Sequence, residues 1–344
     1  MTRDMFQTYD PPEVRQSGAE RVDKLRRLMA KARLDAVLVP RADEHQGEYV
    51  APSAERLKWL TGFSGSAGLA VVGRTAAALF VDGRYVVQAP SQIDTRTFEV
   101  QQIPQAKLAE WLGKHLKAGG VVGFDPRLHT AAMIEELDKS LQPKGIKLKA
   151  LASNPVDRAW GRERPPSARG AVNPHAMKYA GKAAEQKIAE LQAALRKEGE
   201  DAVILTLPDS IAWLLNIRGA DVAHNPVALA FAIVPANGKP ELFIDPAKIG
   251  PDAKAHLAPL AKVNEPAALD RRLTALKGTG KRIRLDPATA SSWFFRKLKG
   301  GKARIVRGPD PCLLPKARKN AVEIRGARSA SKRDGAAVAR FLAW

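Results

Sequence analysis

The segment Asp221-Val-Ala-His224-Asn225-Pro226 is where this sequence crowds its potential chemistry. A carboxylate, an imidazole and an amide lie close together, and Pro226 stiffens the loop ahead of an apolar run. As a metal site the segment is poor, because one His and one Asp on a loop lack third and fourth ligands. As a loop facing a substrate it is reasonable, which makes Asp221, His224 and Asn225 candidate site residues. The competing reading has His224 as a hydrogen-bonding residue that stabilises the turn. Asp82-Gly-Arg84-Tyr85 supplies the fourth candidate. Arg84 offers a planar fork suited to a carboxylate, against the plainer reading of Asp82 as a helix cap paired with Arg84.

No complete catalytic set accompanies these residues. The histidines at 45, 115, 129, 175, 224 and 256 are scattered, and neither a G-x-S-x-G elbow nor an H-E-x-x-H helix is present. Glu44-His45 and Glu48-Tyr49 lie near each other but bring a single His. Gly62-Phe-Ser-Gly65-Ser-Ala-Gly68 runs into the strand-like Leu69-Ala-Val-Val72. A phosphate loop needs a helix there, so the glycines read as a tight turn. The residues themselves therefore assign no catalytic side chain and no metal ligand.

The elements that position these segments repeat along the chain. Leu34-Asp-Ala-Val-Leu-Val39 is answered by Glu200-Asp-Ala-Val-Ile-Leu205, and each follows a charged amphipathic helix. Trp59-Leu-Thr-Gly62 is answered by Trp213 to Gly219, Leu79-Phe-Val-Asp82 by Leu242-Phe-Ile-Asp245, and Val122-Gly-Phe-Asp125-Pro126 by Ile283-Arg-Leu-Asp286-Pro287. Order and spacing survive over these landmarks, as an internal duplication would leave them. Ala236-Asn-Gly238-Lys239 between apolar runs marks a hairpin. Asp125-Pro126 and Asp286-Pro287 are expected to end strands and open helices, with Pro near the first helical turn. The fold expected is α/β, with two tandem domains at 1–157 and 175–312, each a mixed β-sheet flanked by helices. The Pro/Arg-rich stretch 158–174 reads as their linker.

Composition narrows the class. At 344 residues, 45% hydrophobic and 27% charged, the chain has the make-up of a water-soluble protein with room for two or three domains. Met1–Gln16 has no apolar core of a signal peptide, and the longest apolar runs are strand-length, so a cytoplasmic protein with no membrane partner is expected. The single Cys312 excludes an internal disulfide framework and a cysteine-rich zinc site. The net charge of +20 raises nucleic acid as a partner. The basic residues are spread out and not interleaved with aromatics, which disfavours it. Asn320, with Glu323 three residues on, has the form of a capping box. Ile324, Ala327, Ser331, Val338, Phe341 and Leu342 then recur at helical spacing. Residues 315–344 are therefore expected to be the opening helix of a further domain, with an uncovered apolar stripe that favours a homo-oligomer or another partner.

Taken together, several of these segments resemble the three-domain aminopeptidase P (Xaa-Pro aminopeptidase) group of the creatinase/prolidase family. They are Asp43-Glu-His45-Gln-Gly-Glu48-Tyr49, Trp59 to Gly68, Phe80-Val-Asp-Gly-Arg-Tyr85, Val122 to Pro126, Ile211 to Pro226, and Lys319 to Trp344. The resemblance implies two creatinase-N-like domains followed by the first helix of a pita-bread domain, truncated before the catalytic part. It implies that removal of the N-terminal residue from peptides with Pro second belongs to the longer enzyme. Two Asp, one His and two Glu of that domain would hold two divalent metals, manganese or zinc, all beyond residue 344. No cofactor is expected in the present residues, and the chain alone is expected to be inactive, with a peptide substrate only when the catalytic domain is supplied. His224, Asn225, Asp221 and Arg84 become candidates for the wall around the substrate mouth. The alternatives are a non-catalytic scaffold that binds a peptide or partner, and a basic nucleic-acid-binding protein.

Overall fold

The structure, a computed structural model, describes residues 17–103 and 108–344. It divides into two units, one holding residues 17–44 and 50–167 of the described chain, the other residues 45–49 and 168–344. The first unit contains β1 (Ala36–Pro40), β2 (Gly68–Gly73), β3 (Ala77–Val81), β4 (Glu99–Gln102), β5 (Val121–Phe124) and β6 (Lys147–Ala150). The second contains β7 (Asn173–Pro174), β8 (Ala202–Leu205), β9 (Ile217–Arg218), β10 (Phe231–Pro235), β11 (Glu241–Phe243), β12 (Lys262–Asn264), β13 (Arg282–Leu285) and β14 (Arg304–Arg307).

The repeat is structural. One sheet runs β4-β3-β2-β1-β5-β6 and the other β12-β11-β10-β8-β13-β14. Each starts from an antiparallel meander and adds parallel partners on both sides, with the same pairing senses throughout. The repeated Asp explains one landmark. The Asp35 backbone N–H donates to Val121 O at 2.8 Å, and Asp35 Oδ2 accepts from Val121 N at 2.8 Å. Asp201 clamps Arg282 in the same two ways, both at 2.8 Å. Each Asp thus fixes the register at which its strand meets its parallel neighbour.

Apolar runs without alternation occupy the central strands because both sheet faces are covered. Val37 and Val39 enter a core with Val22, Leu25 and Met29 of the first helix, while Ala36 and Leu38 enter a second core with Trp111, Leu137 and Leu141. Val203 and Leu205, against Ala202 and Ile204, divide likewise in the second unit. The hairpin at 236–239 forms between β10 and β11, with Gly238 at φ 98°, a left-handed conformation that side chains disfavour. The segments between the cores are short. Trp160 still packs in the first core and Val172 already packs in the second.

One expectation is corrected. Asp125-Pro126 and Asp286-Pro287 do not open helices. Each Asp turns the chain on itself, Asp125 Oδ1 accepting from Arg127 N and Asp286 Oδ1 from Ala288 N, both at 2.9 Å. The helices begin later, at Ala131 after Thr130 and at Ser292 after Ser291. Asx turns compete with helix initiation through just this side-chain bond. At the chain's other end the capping box is present as expected. Asn320 Oδ1 accepts from Val322 N and Glu323 N, and Glu323 Oε2 accepts from Asn320 N. The helix Ala321–Ala343 has no buried residue, and Phe341 and Trp344 are 67% and 96% exposed.

Candidate functional site

Asp221 does not face solvent. Its Oδ1 accepts from Gly170 N at 2.9 Å, and its Oδ2 accepts from Leu229 N at 2.7 Å and from Lys248 Nζ at 2.6 Å. Lys248 also donates to Leu229 O at 3.2 Å, and both side chains of the ion pair are buried. One carboxylate thereby ties the segment entering the unit, the segment that leads from the loop into β10 and the turn after β11. Asp221 is the foundation of the loop, with its lone pairs committed to these donors.

His224 and Asn225 stand on that foundation. A bridge between Val222 and Asn225 closes the loop, and His224 at its tip has φ 60° and an exposed side chain. The Asn225 carbonyl accepts from Val227 N at 2.8 Å. Asp221, His224 and Asn225 therefore belong to one loop, and of these His224 is the solvent-facing titratable group. Arg84 lies in the first unit. Asp82 caps the short turn after β3 by accepting from Arg84 N, and its carboxylate takes the Arg84 guanidinium at 2.6 Å. That hydrogen bond holds the Asp82 carboxyl below its usual range. The guanidinium carbon also sits 5.2 Å from the Tyr85 ring centre. Tyr85 Oη in turn lies 2.6 Å from Ser66 Oγ, tying this turn to the Gly-rich one. Ser66 lowers the Tyr85 pKa through these bonds.

The strongest electrostatic arrangements are ones that the sequence does not reveal. Arg56 is buried and donates to Asp157 Oδ1 at 2.7 Å, to Asp157 Oδ2 at 3.2 Å and to Glu44 Oε1 at 3.0 Å. Burial acts to lower its pKa, but Asp157, Glu44 and Asp125 outweigh it and hold the guanidinium above its ordinary value. Arg164 adds a second cation on Asp157 at 2.8 Å. In the repeat, Ser210 occupies the place one helical turn before Trp213 that Arg56 occupies before Trp59. Burial there raises the Asp310 carboxyl and, well beyond the ordinary range, the Cys312 thiol. Lys187, also buried, donates to Asn216 Oδ1 at 2.7 Å and to Trp213 O at 2.9 Å.

His129 is fully buried, with Nδ1 at 2.8 Å from Asp125 O, so the neutral ring donates there. Burial lowers its pKa from 6.5 to about 4. A group whose folded pKa is depressed contributes stability above its unfolded pKa and loses it as pH falls through the folded value. Acidification from pH 6.5 to about 4 should thus cost the first unit up to about 3 kcal/mol through His129, at 1.36 kcal/mol per pKa unit. Chemical denaturation at stepped pH checks this. His129→Asn keeps a donor for Asp125 O and should flatten the slope, and an unchanged slope would contradict the assignment.

Among the described residues no group of three or more His, Cys, Asp or Glu side chains could hold a metal ion. No described helix is long and apolar enough to cross a membrane.

With this geometry in hand, both halves match models of the creatinase/prolidase N-terminal domain, one over residues 21–156 and the other over 163–323. The chain is built of two such domains in tandem and is homologous to Xaa-Pro aminopeptidase P. It is 37% identical over 335 residues to the "Probable Xaa-Pro aminopeptidase P" of Neosartorya fischeri, covering 94% of this chain and 51% of that protein. A relative of the same name from Coccidioides posadasii is 36% identical over 336 residues, covering 95% of this chain and 54% of its own length. The chain thus spans about half the length of the curated relatives it matches. Among solved structures, the X-prolyl aminopeptidase of Caenorhabditis elegans, described as a cytosolic enzyme with a di-nuclear active site, superposes with a TM-score of 0.89 at 30% identity. That match covers 96% of this chain and 56% of the relative. The residues described here offer no ligand set that fits a dinuclear centre.

Proposed function

We propose that this chain forms the non-catalytic N-terminal half of an Xaa-Pro aminopeptidase P-type enzyme. Hydrolysis of the bond before a penultimate proline is carried by a dinuclear metal domain outside these residues, and the two units restrict which peptides reach it. The observation that carries the reading is the pairing of coverages: the match takes in 94% of this chain but 51% of the relative. The loop at 221–226 suits an edge of the substrate mouth. Asp221 and Lys248 make it rigid, while His224 and Asn225 offer polar groups to a peptide. Arg84 suits such an edge less well, because Asp82 already takes its fork.

The test joins residues 17–344 to the catalytic half of the Caenorhabditis elegans relative. The chimera should release the first residue of Xaa-Pro peptides. His224→Ala with Asn225→Ala should raise KM for longer peptides while leaving folding intact. An active chimera in which the loop variant changes neither KM nor peptide-length preference removes the loop from the mouth. A folded, metal-loaded chimera without activity speaks against the whole reading.

A scaffold that recruits its catalytic partner as a separate chain is a second reading, favoured by the exposed side chains of Val338, Phe341, Leu342 and Trp344. Activity restored by mixing the two halves as separate proteins would support it.

A further inference from the structure

The excess of positive charge plays no part in the enzyme reading, and in the second unit part of it is gathered in one place. Two tight turns there share one make-up. Lys277-Gly-Thr-Gly-Lys281-Arg282 leads into β13, and Lys299-Gly-Gly-Lys302-Ala-Arg304 leads into β14. Backbone hydrogen bonds lock the turns together. Lys302 N and Ala303 N donate to Lys277 O at 2.9 and 3.2 Å, and Arg304 N donates to Lys281 O at 2.8 Å. A Cβ on Gly301 would run into that same Lys277 O, so glycine is what lets the turns come this close. In the parallel ladder Arg282 stands directly beside Arg304, at the spacing of about 4.8 Å between neighbouring strands.

Like charges so placed repel each other and cost stability. Here no anion relieves them. Lys281, Arg282, Lys299, Lys302 and Arg304 are exposed and Lys277 is half-buried, and among the described residues none of these six side chains forms an ion pair or a hydrogen bond. Basic residues around them are paired. Arg284 is held by Glu200, Lys297 by Asp270 and Arg272 by Glu241. Asp201 is committed to the backbone, its Oδ2 accepting from Arg282 N at 2.8 Å.

The first unit shows that the fold does not demand this concentration. There Lys147 N donates to Gly120 O at 2.8 Å, the counterpart of the Arg304 bond, yet the residue opposite Lys147 is Val121. The paired arginines are therefore an addition to a junction that forms without them.

The chemistry of an occupant follows. Two guanidinium forks flanked by ammonium groups on locked turns suit the oxygens of several phosphates at once. No exposed large apolar side chain lies between residues 277 and 307, which leaves no ring to stack on a base and no wedge to enter a bilayer.

We propose that the turns at 277–282 and 299–304 form a binding site for a free, compact anion carrying several phosphates, with Arg282 and Arg304 as its main contacts. The site is built within the second unit, so it stands whether or not the enzyme reading above is correct.

Inorganic tripolyphosphate titrated into the full chain by calorimetry should bind at one site at low salt and more weakly as salt rises. Arg282→Gln with Arg304→Gln should weaken binding by about tenfold or more without lowering the thermal midpoint. Should that pair fail to fold, Arg282→Gln alone decides. Arg325→Gln with Arg328→Gln removes the same net charge from exposed positions on the helix Ala321–Ala343 and should change binding by less than about twofold. Equal weakening by both double variants would reduce the effect to net charge and overturn the proposal, as would a folded parent that binds no tripolyphosphate. An oligoglutamate peptide, a uridine homopolymer or phosphatidylserine vesicles held more tightly than tripolyphosphate through Arg282 and Arg304 would overturn it too, assigning the turns to a macromolecular surface instead.

Discussion

Replacing Lys248 by methionine should destabilise the second unit by about 3–5 kcal/mol, the cost of stranding a buried carboxylate without its cation. Asp221 has 0% side-chain exposure and accepts the Lys248 ammonium at 2.6 Å. Methionine fills the volume of the aliphatic stem, which isolates the charge as the cause. The lost stability should appear as a lower urea midpoint with an unchanged slope. A loss under about 1 kcal/mol would show that the pair exists without supporting the loop, the outcome usual for exposed pairs.

Arg56→Met should have an effect of similar size, about 3–5 kcal/mol, on the first unit. Its guanidinium is 2% exposed and bonds both oxygens of Asp157 and one of Glu44. Removing it leaves these acids and Asp125 together, relieved in part by Arg164 on Asp157. Arg56→Lys should recover less than half of the loss, because a single ammonium does not reproduce the two-oxygen grip. Full rescue by lysine would mean that charge alone, without the fork, holds Asp157.

Much of the architecture was legible because it is written locally. Asp35 and Asp201 mark strand starts, apolar runs mark strands covered on both faces, and Asn237-Gly238 marks a hairpin; each is a short-range pattern. The capping box at Asn320 and Glu323 was equally local. Where the helices after Asp125 and Asp286 begin was misread, because an Asx turn and a helix N-terminus draw on the same residue types. The candidate site was legible only as a loop composition, and its role as a site stays a proposal. The loop holding His224 stood out by composition. Lys248, which fixes that loop, is 27 residues from Asp221, and Arg56 is 101 residues from Asp157. Nothing in spacing joins such pairs, since the fold alone brings them together. Lys187 gave no signal either, as its partners are a backbone carbonyl and an amide of the motif before Gly219.

The proposed function turns on whether these residues can hydrolyse a peptide without a further domain. The measurement that tests it most directly is release of the first residue from an Xaa-Pro peptide by this chain alone, purified free of other peptidases and supplied with manganese or zinc. No described cluster of His, Asp or Glu fits two metal ions, and a hydrolytic pair needs several carboxylates to hold cations about 3.5–4 Å apart. The account predicts no release above the peptidase-free blank, and release once the catalytic half of the Caenorhabditis elegans relative is joined to it. Metal-dependent turnover that follows this chain through purification and disappears with chelation would contradict it.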